Sequence, residues 1–456
     1  MPGAVESDGR DAPAYRPDDP SPPAGGSPAG GALHRRWERF SATRARVRLT
    51  VAATVATWAA AAVLWTLTCL HLDRTDQGLG WDMTTVWRAE RVFAHGGQPY
   101  SRAATDHRLF LYPPSSLLLL RPVALVSIRV AQVGGLVLTA VLICIAVMLS
   151  AHLLGRRWWG LTAALAVLAL HWAEPATAEL GLENVTVLCF VALALFYLLG
   201  AREHWITAGL VIGLSLCIKP LFLPVLLVFV LARRWAGLAT AIAVPAVLNL
   251  AAFAVVKDPT RVFTKLPSLL SRSGSGALLN SAWVDVFQTF ALPHWATILV
   301  RFVTVAVALV GAWLAWRLIP DGRLRLVTTT SVLLIGVYLG GTLSENHYML
   351  TLVPLAMTVV LPASPMRRVI AWIGILMLMG VTPPASMLAI QTGANLSAFR
   401  AFGMSLVLLT IVVVLGRRWY RERGRGLGTV SGGAEGATPG PTEGTRRRAP
   451  EAALTR

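Results

Sequence analysis

The sequence predicts an all-α polytopic membrane protein of roughly 10–12 transmembrane helices, each of about 20 residues. Hydrophobic residues make up 55% of the 456 residues and charged residues only 14%, whereas about a quarter of a soluble domain is charged. The mean hydropathy is +0.60. Long apolar runs recur along the chain, and a soluble core of this size would not need so many of them.

The net charge of +18 comes from arginines that stand beside the apolar runs. Examples are Arg156-Arg157, Arg233-Arg234 and Arg367-Arg368. The positive-inside rule accounts for this distribution, so we predict the lipid bilayer as a partner and no nucleic acid. The four cysteines lie in or beside apolar segments without metal-ligand spacing, which indicates buried thiols and no metal site.

Composition divides the chain into three regions. Residues 1–47 are predicted to be a disordered, basic N-terminal tail, because they are rich in Pro, Gly and charge. Residues 48–416 form the membrane domain, and residues 417–456 are a second disordered basic tail. Arginines before the first apolar run and after the last one predict that both termini are cytoplasmic.

Twelve apolar segments are visible in the membrane domain. They are 48–70, 114–126, 128–154, 158–172, 183–200, 205–232, 236–256, 296–318, 325–343, 347–362, 368–390 and 398–416. The segment 114–126 is short for a span, and 205–232 is interrupted by Lys219-Pro220. We therefore predict that each of these two is a re-entrant or half-length helix.

The segment after the first span predicts an amphipathic helix on the outer, periplasmic side of the membrane. Asp82 opens it, and apolar and charged residues then alternate at helical spacing up to His95. Gly96-Gly97 ends the pattern, and Pro113-Pro114 starts the next apolar run. A carboxylate at this boundary is well placed for chemistry on a lipid-borne substrate.

Most acidic residues of the membrane domain fall in the predicted outer loops, although these loops are also longer and collect more charge of both signs. Long loops often carry function, so the working face is predicted to be the outer one. Nucleotide-activated sugars are not available there, and no nucleotide-binding glycine motif appears in the required context. Any activated donor would then come from within the membrane, as a polyprenyl-phosphate conjugate.

Several motifs resemble those of a known family. Asp82 with MTTVWRAERVFAHGGQPY, followed by FLYPPSSLLLLRPVAL, resembles the signature of the GT-C membrane glycosyltransferases of family 87. GLENVTVLCFVALALF resembles the family's Gln-x-Asn helix start, with Glu183 where Gln or an apolar residue is more usual. GLSLCIKPLFLPVLLVFVLARRWAGLATA is similar to its Lys-Pro helix, and the stretch from Lys219 to Pro362 looks closest to the mycobacterial α-(1→3)-arabinofuranosyltransferase branch.

The resemblance implies a GT-C fold and an inverting transfer of a sugar from a polyprenyl-phosphate donor. The acceptor would be a cell-envelope polysaccharide or glycolipid at the outer face of the plasma membrane. Arabinofuranosyl transfer is the closest match, and mannosyl or another hexosyl transfer is the alternative within the same mechanism. The lipid-linked sugar is a substrate, so no cofactor is expected.

Two residues are the main catalytic candidates. Asp82 is the candidate base for the acceptor hydroxyl, and the alternative is that it only caps the surface helix. Lys219 is the candidate ligand of the donor phosphate, because a lysine within an apolar span indicates a functional site. Snorkelling of Lys219 to the interface is the alternative.

Other candidates are ranked lower. His347 is also a catalytic candidate, which would orient the acceptor or donate to phosphate, or serve only as a structural cap. Arg88 and Arg91 would bind the donor phosphate or anchor the helix to headgroups. The candidates for binding sugar or acceptor are Glu183, Asn184, Trp87, Tyr112 and Glu345.

Two other classes of protein remain open from the sequence. A secondary transporter or a flippase of lipid-linked envelope precursors would also be polytopic, but it often carries paired broken helices in its two halves. Only 114–126 and 205–232 are broken, with no matching pair in the second half. A non-catalytic scaffold is the other alternative, and the loss of activity in a point variant would exclude it.

Overall fold

The computed structural model describes residues 28–75, 79–101, 110–264, 280–380 and 393–431. These residues are helical, apart from loops and one isolated antiparallel bridge between Asn280 and Glu345. The chain divides into two compact units, 1–55 and 56–456. The described part of the first unit is helical, and the candidate site lies within the second unit.

Sixteen α-helices are assigned in the described ranges, numbered here in chain order. They are α1 (Pro28–Thr75), α2 (Trp81–Ala94), α3 (Pro114–Leu119), α4 (Ile128–Leu153), α5 (Leu161–Leu170), α6 (Glu174–Leu182), α7 (Thr186–Ala201), α8 (Trp205–Ile218), α9 (Leu226–Leu231), α10 (Trp235–Val255), α11 (Trp283–Thr289), α12 (His294–Leu318), α13 (Gly322–Gly340), α14 (Val353–Met357), α15 (Val369–Met379) and α16 (Gly393–Ser431). Short 3₁₀ segments precede α4, α9, α14 and α15.

Six described segments are long and apolar enough to cross a membrane. They are Arg46–Arg74, Ile128–Leu153, Trp235–Val255, His294–Leu318, Gly322–Gly340 and Leu396–Arg423. Six shorter apolar helical segments of 10–17 residues accompany them. The prediction of an all-α polytopic membrane protein is therefore confirmed.

Both predicted tails contain helix where the structure describes them, and the division of the chain into three regions stays a prediction. The first helix already begins at Pro28, and the last continues to Ser431. Arginine, which is frequent beside both apolar runs, has a high helix propensity, so the helical ladder continues beyond the apolar part. The predictions for 1–27 and 432–456 lie outside the described residues.

The predicted irregular segments are confirmed. Helix α2 ends at Ala94, and Gly96 adopts φ +69°, a left-handed conformation that glycine tolerates. The segment 114–126 contains only the six-residue helix α3 and a 3₁₀ turn. The segment 205–232 breaks at Lys219, which has extended backbone angles, as expected for a residue before proline.

Two hydrophobic clusters hold the second unit together. The larger one involves most membrane helices, and α13 is the most enclosed of the candidate spans, with 78% of its apolar window buried. The smaller cluster joins α2 to the loop before α3 and to the end of α10. Its buried members include Val86, Phe93, Tyr112 and Val256. This second cluster fixes the position of α2, and with it that of Asp82.

Candidate active site

Four chain segments meet at one end of the helices. They contribute Asp82 from the first turn of α2, Asn184 from the α6–α7 turn, Lys219 from the break after α8, and Glu345 from the loop after α13. Each of these residues stands where a helix begins or ends, because helix ends leave room for polar side chains. The site is built from irregular backbone at the ends of apolar helices.

Lys219 is at the centre of the cluster. Its Nζ donates to Thr186 Oγ1 at 2.9 Å and to Asn184 Oδ1 at 3.3 Å. The same atom lies 4.0 Å from Glu345 Oε2 and 4.2 Å from the centroid of the Tyr348 ring. The side chain is only 13% exposed, so it points into the protein and does not snorkel.

Asp82 is not a helix cap. The N-cap position of α2 is Gly80, with φ +63°, and no side chain caps the helix. The Asp82 Oδ2 atom instead accepts a hydrogen bond of 2.5 Å from Asn184 Nδ2. Since Asn184 Oδ1 accepts from Lys219, one amide links the carboxylate to the ammonium. The capping alternative is thus replaced by a contact between two predicted site residues.

Glu345 and His347 form a pair behind the lysine. His347 Nε2 lies 3.3 Å from Glu345 Oε2, and the imidazole is 1% exposed. The His347 ring packs edge-on against Tyr348 at a centroid distance of 4.8 Å. Neither His347 nitrogen has a hydrogen-bond partner in the described structure, so the imidazole packs beside Glu345 and its catalytic role stays a prediction.

Tyr112 and Glu179 border the same cluster. Burial raises the pKa of the Tyr112 phenol well above its usual value, and the carboxylates of Asp82 and Glu345 add to that rise. The phenol therefore remains a hydrogen-bond donor. Burial also raises the pKa of Glu179, although the Lys219 ammonium lowers it, and one Glu179 oxygen accepts from the Val187 amide at 2.8 Å. Sequence patterns alone do not distinguish Glu179 from the other acidic residues of the predicted outer loops.

Three predicted site residues, Trp87, Arg88 and Arg91, lie on other sides of α2 than Asp82. At about 100° per residue, Arg91 is turned about 180° from Asp82 and Arg88 about 120°. Arg91 lies 5.2 Å above the Trp87 ring, whose Nε1 donates to the Val126 carbonyl at 2.9 Å. The structure thus does not bring Trp87 or Arg91 to the Lys219 cluster, and anchoring of the helix explains both.

Glu183 lies beside the cluster but faces away from Lys219. Both of its carboxyl oxygens are buried without a hydrogen-bond partner in the described structure. They pack against Gly80 and Gly135, where an added Cβ would come within 2.5 Å of Glu183 Oε2 at Gly135. Burial raises the pKa of Glu183 to about 8, while Arg129 lowers it. Glu183 therefore packs as a buried neutral acid against the start of α2, and its predicted role in sugar binding stays a prediction.

Replacing Glu183 by Gln should make the free energy of unfolding decrease less as the pH rises. The native carboxyl keeps its proton up to a pKa of about 8, whereas the unfolded one loses it near 4.5. The native state then binds more protons, and its stability falls by up to about 1.4 kcal/mol per pH unit across that window. Thermal unfolding from pH 5 to pH 8 should show the stability of Glu183→Gln increasing relative to that of the wild type as the pH rises. Glu422→Gln, at an exposed site, is the control, and an unchanged difference across this range would contradict the assignment.

A buried ion pair supports the Glu345 segment from behind. Arg400 of α16 is fully buried and pairs with Glu174 of α6, whose side chain is 3% exposed. Asn346 completes the network, since its Nδ2 donates to Glu174 Oε1 at 2.9 Å and its Oδ1 accepts from Arg400. Asn346 lies between Glu345 and His347, so this network fixes the backbone that carries both. Sequence reasoning did not identify it.

Replacing Arg400 by Leu should destabilise the protein strongly, because it leaves Glu174 buried without its partner. Breaking a buried pair costs about 3–5 kcal/mol, whereas replacing both members with apolar residues is often neutral. The unfolding midpoint in detergent should therefore drop for Arg400→Leu and recover in part in Arg400→Leu/Glu174→Leu. An Arg400→Leu variant as stable as the wild type would show that the pair is not structural.

The arrangement can serve a group transfer with an anionic leaving group. It offers an ammonium, a carboxylate and a protonated phenol at one end of apolar helices. Among the described residues, no group of three or more His, Cys, Asp or Glu side chains is placed to hold a metal ion.

Comparison with known proteins gives one family. The model of glycosyltransferase family 87 matches residues 110–340. The α-(1→3)-arabinofuranosyltransferase of Mycobacterium tuberculosis is 31% identical over 345 residues, which cover 73% of this chain and 78% of that protein. Its counterpart from Mycolicibacterium smegmatis is 31% identical over 375 residues, with 77% and 85% covered.

A relative with a different sugar is also similar. It is the polyprenol-phosphate-mannose-dependent α-(1-2)-phosphatidylinositol pentamannoside mannosyltransferase of M. smegmatis, 30% identical over 272 residues that cover 58% of this chain and 64% of that protein. No solved structure matches the chain significantly. The family match covers half of the chain and includes Tyr112, Asn184 and Lys219. The chain belongs to glycosyltransferase family 87.

Proposed function

We propose that this glycosyltransferase moves an arabinofuranosyl or mannosyl group from a polyprenyl-phosphate donor to a glycan or glycolipid of the cell envelope. The observation that carries the proposal is the convergence of Lys219 and Asp82 on Asn184. The transfer requires a cation for the phosphate leaving group and a base for the acceptor hydroxyl. The cluster offers Lys219 as the cation and Asp82 as the base, with Glu345 as a second carboxylate near Lys219.

The chemical step follows from the positions of these groups. The Asp82 carboxylate takes the proton of the acceptor hydroxyl as its oxygen attacks the anomeric carbon. The bond from that carbon to the phosphate oxygen breaks, and the Lys219 ammonium stabilises the polyprenyl phosphate that leaves. A single displacement of this kind inverts the configuration at the anomeric carbon.

A lipid-linked donor agrees with where the cluster lies. Lys219 and Asn184 stand at the ends of apolar helices, so a phosphate held by them would keep its polyprenyl chain beside the membrane domain. Three arabinofuranosyltransferases match more of the chain than the mannosyltransferase does at similar identity, among them those of M. tuberculosis and M. smegmatis. Arabinofuranose is therefore the first sugar to test.

The outer face of the plasma membrane is the proposed location of the site. Helix α7 begins beside Lys219 and ends before Arg202, and α13 begins at the arginine-bearing loop around Arg323. Because basic loops stay in the cytoplasm, the opposite ends, which carry the cluster, would face outward. Both chain termini would then be cytoplasmic.

The family match argues against the alternative of a secondary transporter or flippase. The chain belongs to a glycosyltransferase family, and the relatives that cover about three quarters of it are named as transferases. A non-catalytic scaffold is tested by the same assay as the enzyme.

Single-turnover transfer in membranes tests the proposal. Radiolabelled decaprenyl-phosphoryl-arabinose and polyprenyl-phosphoryl-mannose would be supplied separately, with a membrane-impermeant oligosaccharide acceptor. Right-side-out vesicles should form product from one donor, and sealed inverted vesicles should not until they are permeabilised. No product from either donor with either oligoarabinoside or oligomannoside acceptors would reject the proposal.

A further inference from the structure

A cavity lies among the helix ends that are opposite the candidate active site. Helix α7 runs 16 residues from Thr186, next to Lys219, to Ala201, a rise of about 24 Å. At its far end lies a cavity of about 500 Å³. The polar and aromatic residues that line it are His152, Arg156, Arg157, Trp158, Arg202 and Arg323.

The cavity is strongly basic and has no acidic residue in its lining. Its arginines come from three separate places: the loop after α4, the end of α7 and the start of α13. Arg202 Nη2 lies 3.2 Å from His152 Nε2, and an added Cβ on Gly155 would meet Arg323 Nη1 at 3.3 Å. Arginines from α7 and α13 therefore both reach the residues at the end of α4.

These arginines lack counter-charges in the described part of the chain. Arg156 donates only to the Val360 carbonyl, at 3.5 Å, and neither Arg157 nor Arg323 has a carboxylate within ion-pair distance among described residues. The adjacent cavity of about 360 Å³ shares Arg323 with this one and contains Glu203 and Asp321, but neither carboxylate lies within ion-pair distance of Arg323. Several guanidinium groups around one cavity are suited to an anion with several oxygens.

Positive-inside anchoring explains why arginines occur at this end, but not why four of them share a cavity. Arg367 and Arg368 are exposed near the same end and do not line it. Trp158 and Trp159, 38% and 69% exposed, border the basic group. Indole rings of this kind mark the depth of lipid headgroups. Basic pockets between membrane helices are suited to anionic headgroups.

We propose that this cavity binds the phosphate headgroup of an anionic membrane lipid, at the membrane face opposite the glycosyl-transfer site. Such a lipid would bridge the α4, α7 and α13 ends. The proposal is independent of the sugar and donor assigned above, because none of the lining residues belongs to the Lys219 cluster.

The test compares lipid binding by the full chain and by two double variants. Native mass spectrometry and thermal unfolding in detergent would be followed during titration with phosphatidylglycerol, with cardiolipin and with zwitterionic phosphatidylcholine. Arg157→Gln/Arg323→Gln should weaken the binding of the anionic lipids at least tenfold. The matched control Arg367→Gln/Arg368→Gln should remain within twofold of the wild type. All four arginines are exposed, so neither pair is expected to disturb folding.

Three outcomes would overturn the proposal. The first is equal lipid binding by wild type and Arg157→Gln/Arg323→Gln, and the second is no preference for anionic over zwitterionic lipid. The third is saturation of the cavity by inorganic phosphate alone at micromolar concentration, which would make a soluble anion its occupant.

Discussion

Asp82→Asn should reduce single-turnover sugar transfer by about 10²–10⁴-fold, the usual contribution of a general base. The substitution keeps the shape of the side chain but removes its ability to take a proton. Asn184 can still bond to the new amide oxygen, so the link to Lys219 and the binding of the donor should survive. The rate constant for transfer should fall, while the donor concentration that gives half-maximal rate should change little.

Asp258→Asn is the matched control, because Asp258 is exposed and pairs only with Arg261 three residues on. It should transfer sugar at the wild-type rate. Glu345→Gln separates the two carboxylates that lie near Lys219. If Asp82→Asn keeps its activity and Glu345→Gln loses it, the base is Glu345 and our assignment of Asp82 is wrong.

The sequence predicted the central residues because each of them interrupts an apolar pattern. Lys219 stands inside a hydrophobic segment, before a proline that ends α8. Asp82 and Asn184 stand at helix starts between apolar runs. A polar residue is costly beside lipid, so in a membrane protein its position alone indicates a role. The same rule holds less well for surface helices, where polar residues are expected.

Polar residues are expected on a surface helix such as α2, and this explains why two of its predicted site residues lie away from the site. The sequence showed that the helix is amphipathic but not how it is rotated about its axis, so Arg91 and Trp87 were grouped with Asp82. The rotation depends on the cluster formed by Val86, Phe93 and Tyr112, whose members are distant in sequence. The periodicity of α2 alone therefore does not identify which of its charges face the site.

The buried network of Arg400, Glu174 and Asn346 was beyond sequence reasoning for a related reason. Arg400 is the third residue of the apolar segment 398–416, and an arginine so near the end of a span normally suggests snorkelling or anchoring at the interface. Its burial depends on the carboxylate of Glu174 in α6, which pairs with the guanidinium. Single-sequence patterns carry no information on such long-range pairing.

Lys219→Gln should reduce transfer by about 10²–10³-fold, the typical effect of removing one group that stabilises a developing anion. The leaving phosphate gains charge as the bond to the sugar breaks, and Gln offers no positive charge to it. Lys219→Arg should not restore the rate, because the planar guanidinium does not fit a position where Nζ contacts Thr186, Asn184 and the Tyr348 ring together.

The control for this variant is Lys257→Gln, since Lys257 is exposed at the end of α10. It should retain wild-type transfer. A Lys219→Gln variant that folds normally and transfers sugar at more than half the wild-type rate would contradict a role at the phosphate. Because the charge on the leaving phosphate develops only as the bond breaks, loss of Lys219 should slow transfer even from saturating donor, whereas loss of a lysine that only recruits the lipid would be compensated by more donor. That difference separates stabilisation of the leaving group from simple binding of the donor.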